Sequence, residues 1–448
     1  MIRPYIDILK LVWPLALGMV NNAVMQFVDR AYLAHESMAS LEAVLPAGML
    51  MWIFAGFFQS IVAYSSVFVA QYHGAGDGGR CRATYRAAVG IALVSGVMSL
   101  PLVPLGDWIL SLFAPSAEVL ALEKSYFGVV MLGAFFVYGQ IAASSYFTGR
   151  GKTSTVFWVN LFGNALNIAL DPVLIFGWCG FPRLGIVGAA YATVFSMAVQ
   201  WLALVVAARR EKVASPAAPC ATSMRGLVFR MLRFGVPAGC YNVLNCLSFT
   251  IFVFVTGGVG ELELAVSNAC FTVNYLLFAP MEGFSIGAST LVAQAIGRGD
   301  AKAAVRDARR TALLGVGFAA MLSFLALLFA HPVLSLFVSS ELAADTSALG
   351  AFHSLGFTLF AMMTAWQVFD AADVIVSGAL KGAGDTKFVM LWMLFGAFAL
   401  WMPGVFLVRS LHNTMPALWA TMIAYVVVLC IGTFVRWHRG AWRRIRLV

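Results

Sequence analysis

Five acidic residues lie where acids are expensive to keep. Asp29, Asp171, Glu282, Asp370 and Asp373 fall inside long apolar stretches. A carboxylate at the centre of a bilayer costs at least about 2.5–3.5 kcal/mol on insertion scales. Such residues point to ion or substrate chemistry. Two of the five come with amides. Asn22, Gln26 and Asp29 follow one another at intervals of four and three, and Asn160, Asn164, Asn167 and Asp171 at intervals of four, three and four. On an α-helix each set occupies one face. Two amide-and-acid stripes in the same half of the chain define one candidate polar pocket, for a proton or a dehydrated Na⁺. Two neighbouring carboxyl groups withdrawn from water do not both ionise cheaply, so such a pair is suited to proton uptake and release. Simpler roles compete. Asp29 adjoins Arg30 and would serve as an interfacial ion pair. Asp171 precedes Pro172 and would help end a helix. The Asn stripe would act as interhelical glue.

In the second half, Asp370 and Asp373 stand three residues apart and so neighbour each other on a helix. They are expected to attract a cationic substrate or to carry protons, or else to line a water-filled structural cavity. Glu282, the repeat partner of Gln59, is a further candidate contact for a cationic substrate.

The elements that must hold these residues follow from composition. Of 448 residues, 61% are hydrophobic and only 11% charged, and mean hydropathy is +0.87. A soluble protein of this length needs far more charge on its surface. Twelve apolar stretches are legible, near 9–33, 44–72, 84–106, 120–147, 153–177, 184–207, 229–256, 264–296, 307–331, 346–381, 386–408 and 415–436. Each reaches the roughly 20 residues that a helix needs to cross a bilayer, and each is far longer than the alternating ~10-residue strands of a barrel. The predicted fold is all-α and polytopic, with twelve transmembrane helices.

Charge orients them. The termini and the loops after helices 2, 4, 6, 8 and 10 hold 25 of the 29 Lys and Arg; the exceptions are Arg30, Lys124, Arg183 and Arg409. Both termini are therefore expected in the cytoplasm, in a cell inner membrane. The net charge of +9 reflects this bias rather than nucleic-acid binding. Arg3 and Lys10 lead into a long apolar stretch with no small-residue cleavage site, which reads as a first spanning helix and not a removable signal peptide.

The chain repeats itself. Pro14 matches Pro237, Asn22 matches Asn245, and GlnTyrHisGlyAlaGlyAsp at 71–77 matches GlnAlaIleGlyArgGlyAsp at 294–300, all 223 residues apart. GlyArgGlyLysThr at 149–153 matches GlyAlaGlyAspThr at 382–386, and AlaThr at 192–193 matches AlaThr at 420–421. Six helices per half make a parallel repeat about an axis along the membrane normal, around a central cleft. The expected division is an N-terminal lobe at 1–207, a cytoplasmic linker at 208–228, a C-terminal lobe at 229–436 and a basic tail at 437–448. Asp29 falls opposite Phe252, so ion chemistry is expected to concentrate in the first half.

Other chemistries find little support. Seven cysteines are scattered without metal-ligand spacing, and no HisGluXaaXaaHis motif occurs. GlyLysThr at 151–153 resembles the end of a P-loop, but the required glycine is Tyr146. No cofactor and no enzymatic activity are expected, and energy must come from an ion gradient or another subunit.

At this point the chain resembles the multidrug and toxic compound extrusion (MATE) family, over about 9–436. The resemblance rests on Pro14, ValAspArg at 28–30 and ValAlaGlnTyr…GlyAlaGlyAsp at 69–77. It rests further on AsnIleAlaLeuAspProValLeuIlePheGly at 167–177, GlyIleValGlyAlaAlaTyrAlaThr at 185–193 and AspAlaAlaAsp…GlyAlaLeuLysGlyAlaGlyAspThr at 370–386. It implies a twelve-helix antiporter, expected to be monomeric, that expels organic cations in exchange for H⁺ or Na⁺. By the same resemblance Asp29, Asn167, Asp171 and Thr193 form a cation or proton site, with Na⁺ as a possible occupant. Asp370 matches an acid that some members use. Those members also carry a glutamate in helix 7, where this chain has Asn245, which favours coupling through the first half. The alternative is a lipid-linked precursor flippase of related architecture. Such proteins tend to have a basic cleft, whereas the membrane charges here read as all acidic. A membrane-embedded enzyme and a scaffold or channel subunit are weaker rivals.

Overall fold

Lipid offers backbone groups no hydrogen-bond partners, so apolar chain in a bilayer must satisfy them internally as helix. The computed structural model describes residues 3–113, 116–211, 223–338 and 345–448. Among the described residues there is no strand. Eleven continuous helices are long and apolar enough to cross a membrane, and a bent pair supplies a twelfth span. The protein is a multi-pass membrane protein.

The spans are α1 (Arg3–Glu36), α2 (Met38–Gly74, interrupted at Tyr64), α3 (Gly78–Ser99 and Leu102–Ser111, bent by 45°), α4 (Ala117–Gly149), α5 (Thr153–Ile175) and α6 (Ile186–Arg210). The second set is α7 (Met224–Thr256), α8 (Glu261–Gly297), α9 (Ala301–Leu328), α10 (Thr346–Gly382), α11 (Thr386–Leu411) and α12 (Met415–Arg439). A π-helical segment, Phe395–Trp401, interrupts α11. The twelve expected stretches all coincide with spans, and their connections carry the repeat. Gly76 and Gly299 both adopt left-handed backbone, with φ of 76° and 75°. The aspartates that follow them cap the next helix in the same way, Asp77 Oδ1 accepting from Arg80 N and Asp300 Oδ1 from Ala303 N, each at 2.8 Å. Only glycine adopts that φ without strain, which accounts for its presence in both copies of the motif.

The described chain forms two compact units. One comprises residues 1–16, 244–292 and 305–445; the other comprises 17–243, 293–304 and 446–448. Unit boundaries fall within α1, α7, α8 and α9. The core of the second of these units centres on Phe68, Phe127, Tyr138, Tyr146 and Phe147, all fully buried. That of the first contains buried aromatic pairs, Phe252 stacked on Trp401 and Trp366 tilted against Trp419. Most of the expected linker, 212–222, lies outside the described residues. At its start Glu211 pairs with Arg150 and Lys152, and its carbonyl accepts from Arg82 Nη2 at 2.9 Å.

Candidate functional site

Helix α5 presents its amide stripe inward. Asn164, Asn167 and Asp171 are 0–1% exposed. The helix runs on through Pro172 to Ile175, so Asp171 does not end it. Opposite lies α1, and the two stripes meet. The Asp29 and Asp171 carboxyl groups face each other within interacting distance. With its amide oriented to satisfy both ends, Asn167 donates to Asp29 Oδ1 at 3.1 Å and accepts from Thr193 N of α6 at 3.3 Å. Among the described residues neither Asp171 oxygen has an N–H or hydroxyl partner, and Asp29 forms no ion pair with Arg30, which is exposed. A hydrogen bond between two carboxyl groups exists only while one of them holds a proton, because an ionised carboxylate only accepts. The arrangement is thus suited to holding one proton between the two groups, with Asn167 set against Asp29.

Toward the other end of α5 a second layer of amides connects four helices. Asn164 Nδ2 donates to Asn22 Oδ1 at 2.8 Å, Gln200 Nε2 to Asn164 Oδ1 at 3.4 Å, and Gln140 Nε2 to Gln200 Oε1 at 3.4 Å and Asn160 Oδ1 at 3.0 Å. The layer needs α5 and α6 in close contact, and Gly163 provides it: a Cβ there would meet Gln200 Cγ at 2.2 Å. Buried amide chains of this kind are costly when half satisfied and rigid when complete.

Two expectations for this pocket change. Gln26 shares the helical face of Asn22 and Asp29 but has no side-chain hydrogen bond among the described residues. Thr193 belongs to the site through its backbone N–H; its hydroxyl turns back to Ala189 O at 3.0 Å. Sequence reasoning missed Gln140 and Gln200, isolated polar residues in apolar helices with no stripe to betray them. It also missed Tyr126 of α4, which lies within electrostatic reach of both carboxyl groups. A tyrosine next to Glu123, Lys124 and Ser125 reads as part of a polar helix end and gives no signal of its own.

The second-half acids are gathered differently. Asp373 is 5% exposed and accepts from Thr433 Oγ1 of α12 at 2.8 Å. Asp370 and Glu282 lie within electrostatic range of one another, and Lys381 interacts with Glu282 and Asp373. This corrects two sequence readings. Lys381, counted with the loop after helix 10 in the charge tally though the apolar stretch ends on it, stands in the last turn of α10, and the acidic cluster therefore has a cation beside it. The long aliphatic stem of a lysine lets a charge at a helix end reach back along the helix. Buried polar atoms here lack partners among the described residues: Gln367 at both ends of its amide, and the Tyr425 hydroxyl. Unpaired buried polar groups mark places where water or a ligand completes the bonding.

The chain is similar to known proteins over most of its length. The MatE family model matches residues 14–173 and 237–407. The chain is 25% identical over 443 residues to a protein named probable multidrug resistance protein NorM in Thermotoga maritima, covering 98% of this chain and 93% of that one. It is 30% identical over 346 residues to one of the same name in Deinococcus radiodurans, covering 75% and 72%. Its fold resembles a crystal structure of MATE in the straight conformation, with a TM-score of 0.87, 20% identity, and coverage of 99% of this chain and 97% of that one. A transporter of the MOP superfamily from Pyrococcus furiosus, described as having a binding pocket of reverse polarity, superposes with a TM-score of 0.86 at 20% identity, covering 99% and 97%.

Proposed function

The chain belongs to the MatE family, and from that premise we propose that it is a multidrug efflux antiporter, exporting cationic or amphiphilic compounds in exchange for H⁺. The observation that carries the choice of ion is the approach of two carboxyl groups, Asp29 and Asp171, in a buried pocket with no basic side chain bonded to either among the described residues, where one shared proton relieves their repulsion. A Na⁺ ion seated there would take the Asn167 oxygen as well as the carboxylates, whereas the amide orientation that satisfies both of its ends turns its NH₂ to Asp29. The multidrug character follows the names of the relatives. It also suits the second half, where acids lie beside stacked aromatic rings that attract organic cations.

In this mechanism the first-half pair takes up a proton from outside, and neutralisation lets α1 shift and release the drug. The two lobes expose the binding site to each side in turn, and the proton leaves to the cytoplasm, where both termini reside. Proton binding lowers drug affinity, and linkage requires drug binding to lower proton affinity equally. Vesicles containing the purified protein and a fluorescent cation test the proposal. A pH gradient without Na⁺ should drive efflux, and a Na⁺ gradient at equal pH should not. Transport driven by Na⁺ alone would sink the choice of ion; no transport under either gradient would sink the antiporter.

A further inference from the structure

Helices α1 and α9 run parallel and in register. Arg310 lies over the Tyr5 ring at 5.7 Å from its centroid, and two turns on, Trp13 meets Phe318 edge to face at 5.8 Å. Both pairs are 305 residues apart. Between them, with Phe284 of α8 as floor, is a cavity of about 350 Å³ lined by Leu9, Trp13, Leu313, Gly317 and Met321. Two glycines shape it. Gly283 brings α1 hard against α8, since a Cβ there would meet Ala16 N at 2.4 Å. Gly317 does the reverse: nothing lies within 4 Å of where its Cβ would stand, so the wall of α9 is left notched. Trp13, Leu313 and Met321 are exposed along this apolar groove, which in a membrane faces acyl chains.

Charge distinguishes one end. The 28 residues of α9 make it about 42 Å long at ~1.5 Å per residue, more than the ~30 Å hydrocarbon core. The turn before the groove therefore reaches headgroup level. There stand Arg306, Arg309 and Arg310; Lys10, exposed on α1 beside Leu9 and level with Gly315 in the same register, has a stem long enough to bring its charge back toward this end. The acids facing this end are Asp7, exposed on α1, and Asp307, which pairs with Arg306 at 3.5 Å. Four cations against two acids leave the mouth positive.

We propose that the groove is a binding site for an anionic phospholipid, with one acyl chain lying on Trp13 in the notch at Gly317 and the headgroup phosphate held by Arg310 and Lys10. Basic residues at the mouth of an apolar interhelical pocket are suited to that headgroup. A zwitterionic lipid would find the same apolar floor but gain little from the cations. The proposal does not depend on what the protein transports.

The test uses the full chain in vesicles whose phosphatidylglycerol or phosphatidylcholine carries brominated acyl chains, which quench nearby tryptophan. The Trp13 contribution is the difference between wild type and Trp13→Phe. At equal mole fraction, brominated phosphatidylglycerol should quench Trp13 more than brominated phosphatidylcholine. Each of Arg310→Gln and Lys10→Gln should reduce that preference about five-fold, the worth of one basic residue at an anionic surface. Gly317→Leu should fill the notch and lower quenching by both lipids. Equal quenching by the two headgroups, a preference unchanged in the double variant, or quenching untouched by Gly317→Leu would each overturn the proposal.

Discussion

Where α1 carries Asp29, the repeat-related position of α7 carries Phe252, and each residue has the company its chemistry requires. Asp29 meets Asp171 and Asn167. Phe252 is fully buried and stacks on Trp401 at 5.1 Å, and Trp401 stacks in turn on Tyr425 at 4.6 Å. Thr193 receives the Asn167 amide through its backbone N–H, whereas its counterpart Thr421 accepts the Trp401 indole N–H at 3.2 Å on its hydroxyl. Asn160 and Asn164 fall opposite Met393 and Ala397. Even the helix-end ion pairs reverse sign: Lys152 pairs with Glu211, while Asp385, its repeat partner, pairs with Arg436 at 2.8 Å. One helical frame has thus been filled twice. The first filling is polar and able to change protonation. The second is a rigid aromatic stack with acids set into a partly unsatisfied polar cluster. The repeat fixes helices and turns, and side chains make the two halves chemically different.

The comparison breaks most visibly if the aromatic stack turns out to be dispensable. Phe252→Ala should cost about 3–5 kcal/mol, as for other buried rings, seen as a lower unfolding temperature in detergent, while the coupling of drug efflux to protons in the surviving protein is unchanged. Gln200→Leu sharpens the contrast from the other side. It cuts the amide layer in the middle and leaves Asn164 short of a donor, for a loss of about 1–3 kcal/mol, with no change in the near-ultraviolet signal of the second-half aromatic stack. Asn22→Ala should cost less, about 1 kcal/mol, because Asn22 is only partly buried and water can replace the lost acceptor. Lys381→Gln is the smallest expected effect. Removing this half-buried helix-end cation should lower KM for cationic substrates about two- to five-fold, within the ~0–1 kcal/mol of a partly solvated charge pair, and leave neutral substrates unaffected. A loss of proton coupling in Lys381→Gln would shift the ion chemistry to the second half.

Much of this was legible in the chain. Spans declare themselves through apolar length, and the Asn160–Asn164–Asn167–Asp171 stripe through helical spacing, because both are local properties. The turns at Gly76 and Gly299 were visible as a repeated motif. What was hidden depends on which faces meet. Gln140 and Gln200 gain meaning only where Gly163 lets α5 and α6 touch. The π-helical turn that aims Trp401 at Phe252 has no signature in an all-apolar stretch. Lys381 looked like a loop residue because its backbone is at the helix end, while its charge acts deeper.

The central claim is that proton coupling resides in the first half. The most direct measurement is pH-gradient-driven efflux of a fluorescent cation from Na⁺-free vesicles, comparing Asp29→Asn and Asp171→Asn with the double variant Asp370→Asn/Asp373→Asn. The account predicts that either first-half substitution abolishes the response to the gradient. It predicts that the second-half double variant still responds, with a weakened apparent affinity for the cation. Undiminished coupled efflux in Asp29→Asn and Asp171→Asn, or its loss in the second-half double variant alone, would contradict it.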